Sequence, residues 1–385
     1  MIALIATLAV QALATMMVLA PPVFAGLAAP DFGINANHIG VFTAVVYAAA
    51  CLSTGMSGGP VRRYGAIRIS QAALLIGAVG LALLASASIW LGLIGAVFIG
   101  VGYGPMTPAS SHILIRQTPP ARRALVFSIK QTGVPLGGAL AGLIVPPLAI
   151  PFGWRGAALA IAAVGALVAI ACEPLHKSLD DDADPSAAGG SHILAAVNLV
   201  LGEPVLRRLA LASVAYSAMQ LCVSAFVVNF LTERAAMALV AAGLVMAVLQ
   251  AAGMVGRIVW GWAADRLVSA RHALSLLGLA IGTTGALLAL IGPGWPMTLV
   301  LVVAAALGAV ALGWNGVFLA EVARLAPPGG AGMATGGALA LTFVGALLGP
   351  PTFGAVVDFT GSYRIAFFIA AAAAAISGLV VGRRP

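Results

Sequence analysis

This sequence is short of charge. Only 8% of its 385 residues are Asp, Glu, Lys or Arg, against about 25% in a typical soluble domain. So few charges cannot clothe a water-facing surface, so most of the chain must face lipid or other helices. Cysteine is nearly absent. Cys51, Cys172 and Cys222 all fall within or at the edge of apolar runs, with no CxxC and no Cys/His cluster. That excludes a disulfide framework and a cysteine metal site, and leaves small apolar packing residues. No Walker A motif, catalytic triad or metal cluster is present, so no ATP-driven pump, enzyme or bound cofactor is expected. Acid is missing where it would matter most: none stands in the middle of an apolar run, and Asp31, Glu233 and Asp358 sit at run ends. Cation and drug antiporters generally need a carboxylate at that depth.

What is abundant is apolar sequence, 62% of the chain. A membrane span takes about 20 apolar residues. Twelve such runs occur, near 4–27, 38–58, 69–87, 90–113, 124–149, 155–172, 207–231, 237–263, 272–291, 296–320, 331–356 and 364–382. The expectation is an all-α integral membrane protein. The first run lacks a positive leader and is too long for a signal peptide, so it reads as span 1. The net charge is +8, and most of the basic residues fall in alternate loops. Arg62, Arg63 and Arg68 share one; Arg116, Arg122 and Arg123 share the next but one. Lys177, Arg207 and Arg208 flank the centre, and Arg266, Arg271, Arg324, Arg383 and Arg384 follow. The opposite loops hold Arg155, Arg234 and Arg364. This positive-inside bias places both termini in the cytoplasm of an inner (plasma) membrane. With no contiguous basic face elsewhere, no nucleic-acid partner is expected.

Residues 173–206 break the apolar pattern with EPLHKSLDDDADPSAAGGSH, the composition of a solvated tether. The expected division is a six-span unit over 1–172, an acidic cytoplasmic linker over 173–206 and a second six-span unit over 207–385. The halves repeat. GGPVRRYGAIR (58–68) returns as GWAADRLVSAR (261–271), so Gly58 pairs with Gly261 and Arg68 with Arg271. Arg116-Gln-Thr-Pro-Pro ends span 4 and Arg324-Leu-Ala-Pro-Pro ends span 10. Thr132 with a glycine stripe corresponds to Thr342 with Gly345 and Gly349, and Gly153-Trp-Arg155 to Gly361-Ser-Tyr-Arg364. Repeated halves are a recurring transporter plan, with substrate held near the midplane.

The duplicated loop motif, PDFGINANHIG at the entry to span 2, FSIKQTGVPLGG in span 5 and the GWR turn together resemble the major facilitator superfamily, over essentially the whole chain. The resemblance implies two pseudo-symmetric six-helix bundles that rock about a central cavity lined mainly by spans 1, 4, 7 and 10. It also implies that each loop motif is a latch whose acid faces a helix N-terminus in the other half. Asp265 would then be the latch acid, with Arg266, Glu321 and Arg324 completing a charge network. The first copy departs from the pattern: Arg62 stands at the place of the acid, and Ile113 at the place of Glu321. An asymmetric gate, held chiefly through Asp265, is the expectation.

Two cations lie inside spans: Lys130 in span 5 and Arg257 in span 8. Lys130 shares a helical face with Gly133, Gly137 and Ala141, and Arg257 with Gln250, Gly253 and Gly261. Small residues mark faces packed on other helices, so both cations should point inward. The resemblance makes spans 5 and 8 neighbours, and two such charges with no embedded acid would be relieved by a bound anion. Snorkelling to the headgroups is the alternative. Polar stripes mark the four cavity spans: Thr7, Gln11 and Thr15; Tyr103 and Thr107; Tyr216, Gln220 and Ser224; Trp314 and Asn315. Gln11, Tyr103, Gln220 and Asn315 are the candidate lining residues, interhelical hydrogen bonds being the other reading. His112 is expected near an interface beside Arg116. The function these features favour is secondary or facilitative transport of a small, carboxylate-like anion by a monomer in the lipid bilayer. An efflux antiporter for neutral or cationic compounds is the alternative, and a non-transporting receptor on the same scaffold a third.

Overall fold

A computed structural model describes residues 2–119, 122–184, 193–327 and 330–383, apart from the side chains at 123–125, 128, 193 and 331. Pro120, Pro328, Arg384, the side chain of Arg123 and the linker stretch 185–192, all read above, lie outside the described residues. Among those described the regular structure is entirely helical.

The first half opens with α1 (Ile2–Phe32), a 3-10 turn (Ala36–His38) and α2 (Ile39–Met56). A short α3 (Gly58–Tyr64) carries the first loop motif, and α4 (Ala66–Leu84) is span 3. Span 4 is broken into α5 (Ile89–Tyr103) and α6 (Met106–Gln117). Spans 5 and 6 are α7 (Arg123–Gln131) and the 39-residue α8 (Gly133–Ala171). Inside α8, Gly153 has φ 69° and ψ 166°, a left-handed backbone that glycine accepts without strain. It divides one long helix into two spans. The expected Gly-Trp-Arg turn is therefore real, and Asp31 pins it: its Oδ2 accepts from Trp154 Nε1 at 2.9 Å and from Arg155 at 3.0 Å.

Two linker helices follow, α9 (Glu173–Leu179) and α10 (Ile193–Gly202). The second half comprises α11 (Pro204–Arg234), α12 (Leu239–Arg266), α13 (Ala270–Ala289), α14 (Met297–Ala311), α15 (Trp314–Leu325), α16 (Ala331–Thr360) and α17 (Tyr363–Gly382). Among the described residues eleven helical stretches, some of them interrupted, are long and apolar enough to span a membrane, and the one over Ile129–Ala171 covers the runs read as spans 5 and 6. The all-α, twelve-span architecture read from the sequence is thus the one observed.

The repeat extends to helix breaks. α14 and α15 reproduce the lengths of α5 and α6, 15 and 12 residues, each starting 208 residues on. Spans 4 and 10 are thus interrupted at equivalent places, one at Gly104-Pro105 and the other at Leu312-Gly313. The chain forms two compact units: Met1–Ala36 with Val45–Ser191, and Asn37–Ala44 with His192–Pro385. In the first, α1 packs on α8, and α4 on α5 and α8; in the second, α13 packs on α17, α11 on α16 and α12 on α14. Leu52, Leu167, Ile170, Val255, Trp262 and Leu348 are exposed, an apolar exterior that suits hydrocarbon rather than water.

The linker differs from the expected solvated tether. Leu179 and Asp180 are 7% and 9% exposed, and α9 packs on α4. α10 packs on α16, with Val200 fully buried. The acidic first part had masked the apolar run ILAAVNLVL, which has its own face to bury.

Candidate functional site

In the first unit, close packing of spans 1 and 5 sets the polar residues side by side. A Cβ on Gly137 would stand 2.1 Å from the Ala12 carbonyl oxygen, and one on Gly133 3.0 Å from the Gln11 side chain. The helices can approach only because both positions lack a side chain. At this contact Lys130 is 1% exposed and Gln11 is 1% exposed. Lys130 Nζ donates to Thr107 Oγ1 at 3.3 Å, and Thr107 Oγ1 donates to Gln11 Oε1 at 3.3 Å. Gln131 Oε1 lies 3.4 Å from the ammonium. Thr107 is itself exposed, just past the break in span 4. Tyr103, on the other side of that break, meets Tyr47 edge-on at 6.1 Å.

The second unit repeats this arrangement without the cation. Gln220 stands 209 residues after Gln11, and Asn315 208 after Thr107. Gln220 Oε1 accepts from Asn315 Nδ2 and from Trp314 Nε1, each at 3.2 Å. Tyr216 and Phe318 pack on Trp314 at 5.6 and 5.5 Å, and Gln250 reaches Ser224 at 3.4 Å. The second unit thus carries a neutral amide–indole cluster where the first carries a cationic one.

The two cations are not alike. Lys130 is buried, whereas Arg257 is partly buried and its Nε donates to the Leu312 carbonyl at 3.0 Å. Leu312 ends α14, where the helix break leaves carbonyls without intrahelical donors. An arginine at a helix C-terminus satisfies such a carbonyl and the helix dipole together. The reach depends on Gly256, where a Cβ would lie 2.0 Å from the Ala309 oxygen. Protein oxygens thus accept from both cations, side-chain oxygens from Lys130 and a backbone carbonyl from Arg257.

Of the latch residues, Glu321 is 4% exposed and holds Arg324 through two 2.7 Å hydrogen bonds. Asp265 and Arg266 are exposed at the end of α12 and form no ion pair among the described residues. Arg62 is exposed on α3, and Ile113 is buried.

Sequence reasoning missed the acids that serve the first unit. Asp180 Oδ1 and Oδ2 accept from the backbone nitrogens of Ile67 and Arg68 at 2.8 and 3.0 Å. Asp181 and Asp182 pair with Arg116, and Asp182 also lies 2.7 Å from His112 Nε2. Glu173 binds Arg68 and Gln71. The Gln71 amide, then the Arg68 guanidinium, hold the Glu173 carboxyl below its usual range, and the hydrogen bond from Arg116 does the same for Asp181. Gln131, beside Lys130, and Tyr47, inside an apolar run, were not singled out either.

Two repeated six-span units, each with a broken helix and a polar cluster at the break, have the architecture found in many membrane transporters. The Major Facilitator Superfamily pattern matches residues 2–336, and the chain belongs to that family. It is 28% identical over 142 residues to a hexuronate transporter of Bacillus subtilis, covering 36% of this chain and 33% of that one. It is 26% identical over 311 residues to an uncharacterized MFS-type transporter of Mycobacterium tuberculosis, covering 76% and 66%. Over 370 residues it is 28% identical to human monocarboxylate transporter 11, covering 89% and 75%. The chain thus spans a third of the first of these relatives and just under two thirds of the second. In fold it is similar to a bacterial homolog of the human lysosomal transporter Spinster, with TM-score 0.77, 17% identity and 98% and 95% coverage. It is likewise similar to the nucleoside transporter NupG, with TM-score 0.74, 14% identity and 98% coverage of both chains.

Proposed function

We propose that the protein moves a small organic anion, carboxylate-like in chemistry, across the inner membrane by alternating access, with both termini in the cytoplasm and the monomer as working unit. The observation that carries this reading is Lys130: an ammonium 1% exposed inside a span, next to neutral oxygens of Thr107 and Gln131. No Asp or Glu stands in the middle of an apolar run. In this reading an anion entering past exposed Thr107 meets a buried positive charge, an attraction that low dielectric strengthens. Lys130 is the charge partner in this reading, and Gln11 and Tyr103 are further contacts for the anion. Gln220 and Asn315 supply neutral hydrogen bonds, and Arg257 is a further contributor. The latch role of Arg62, Asp265, Arg266, Glu321 and Arg324 is part of the same proposal. The names of the hexuronate and monocarboxylate relatives agree with an anionic substrate.

Efflux of a neutral compound is the second reading, and the uncharged Gln220–Trp314–Asn315 cluster favours it. A thermal-shift screen of purified protein against carboxylates, neutral metabolites and amines separates them. Stabilisation by carboxylates, lost in Lys130→Met, supports the anion; stabilisation by neutral compounds or amines alone contradicts it.

A further inference from the structure

The first loop motif lacks its acids, yet the linker side of the first unit is rich in carboxylates, and all of them come from one distant segment. Asp180 occupies the start of α4, where the N-cap residue Gly65 offers no side chain of its own to cap the helix. In the second unit the equivalent helix, α13, is capped locally by Ser269. Asp181 and Asp182 hold Arg116, and Asp182 holds His112, on α6. Glu173 holds Arg68 and Gln71 on α4, and Gln71 reaches back to the Ala169 carbonyl at the end of span 6. Even the backbone joins: Asp184 N donates to the Arg62 carbonyl at 2.9 Å. Residues 173–184 thus touch span 3, span 4, span 6 and the loop motif. Arg271, the repeat partner of Arg68, is held differently, by the Val381 carbonyl.

We propose that residues 173–184 are a clasp that supplies, from the linker, the carboxylates missing at Arg62 and Ile113, and so locks the linker-side ends of spans 3, 4 and 6 into one block. The clasp has two kinds of contact. The ion pairs are partly exposed, with Arg116 at 29% and Asp181 at 61%, and such pairs weaken as salt screens them. The Asp180 cap is buried and orients two backbone donors that otherwise lack partners. Charge holds the segment down; the cap sets its register. The inference is independent of what the protein transports.

The chain carries its own probe. Cys172 is free, 7% exposed, and joins α8 to α9 just before the first residue of the clasp. Removing the other two thiols as Cys51→Ala and Cys222→Ala leaves it as the single reporter. The experiment measures labelling of full-length, detergent-solubilised protein by a membrane-impermeant maleimide at constant pH. Labelling should be slow, rise with NaCl concentration, and rise about tenfold on Asp180→Ala with Asp181→Asn and Asp182→Asn, as expected for loss of a cap and its ion pairs. Arg116→Asp should accelerate it, and adding Asp181→Arg should return the rate toward that of the parent. Unchanged labelling in the neutralised variant and in high salt overturns the clasp. Acceleration by Arg116→Asp that Asp181→Arg does not reverse also overturns it, because it signals general loosening rather than this pairing.

Discussion

Gly65 and Asp180 fit together as a socket and its occupant. A Cβ on Gly65 would lie 2.2 Å from the Asp180 carboxylate carbon, and Gly65 also holds φ at 92°. Two separate constraints therefore demand glycine there: a backbone conformation that other residues resist, and space for a carboxylate from residues far along the chain. Gly65→Ala should strain the turn and expel Asp180 from the start of α4. The expected loss is about 1–3 kcal/mol, read as a lowered thermal midpoint. A midpoint equal to that of the parent means that Asp180 does not cap this helix.

The carboxyls of Glu173 and Asp181 give the clasp a pH dependence of known sign. Their folded values lie below the ordinary carboxylate range, Glu173 through Gln71 and Arg68, and Asp181 through Arg116. A depressed value means that the stabilisation is fully present above the unfolded pKa and is lost as pH falls through the folded one. The parent should therefore melt above Glu173→Gln/Asp181→Asn at neutral pH, and the gap should close as pH drops below the usual carboxylate range. A gap that stays constant with pH contradicts the ion pairs.

Arg257 should act first on stability. Its Nε satisfies the Leu312 carbonyl at the break in span 10, so Arg257→Met leaves an orphaned acceptor at a helix end, at a cost of about 1–3 kcal/mol. The thermal midpoint of the ligand-free protein should fall. If Arg257 also holds the anion with Lys130, a double-mutant cycle on affinity gives a coupling term; strictly additive effects remove Arg257 from the binding set.

Much of the architecture was legible in the residues themselves. Apolar run lengths marked the spans, and the duplicated loop motif marked the halves. The GWR turn marked the break that only Gly153 makes visible in the backbone. The missing acids at Arg62 and Ile113 were legible too, as a departure from the repeat. Their replacement was not, because Asp180 meets Ile67 across 113 residues, and such a meeting is a product of the fold rather than of any local pattern. The acidic run read as solvated for the same reason: composition registers charge, while docking depends on where Arg68, Arg116 and His112 end up. Lys130 and Gln11 were both singled out by helical spacing, and their junction through Thr107 follows from the small residues at Gly133 and Gly137. Arg257 shows the limit of spacing, since its partner is a backbone carbonyl freed by a helix break.

The central claim is that Lys130 holds an anion, and equilibrium binding of carboxylates to purified parent, Lys130→Met and Lys130→Arg tests it most directly. A desolvated charge-assisted contact contributes about 1.5–3 kcal/mol, so Lys130→Met should weaken carboxylate binding by about ten- to a hundredfold. Lys130→Arg should retain part of the affinity, and binding of neutral compounds should hardly change. Carboxylate affinity in Lys130→Met equal to that of the parent would contradict the account.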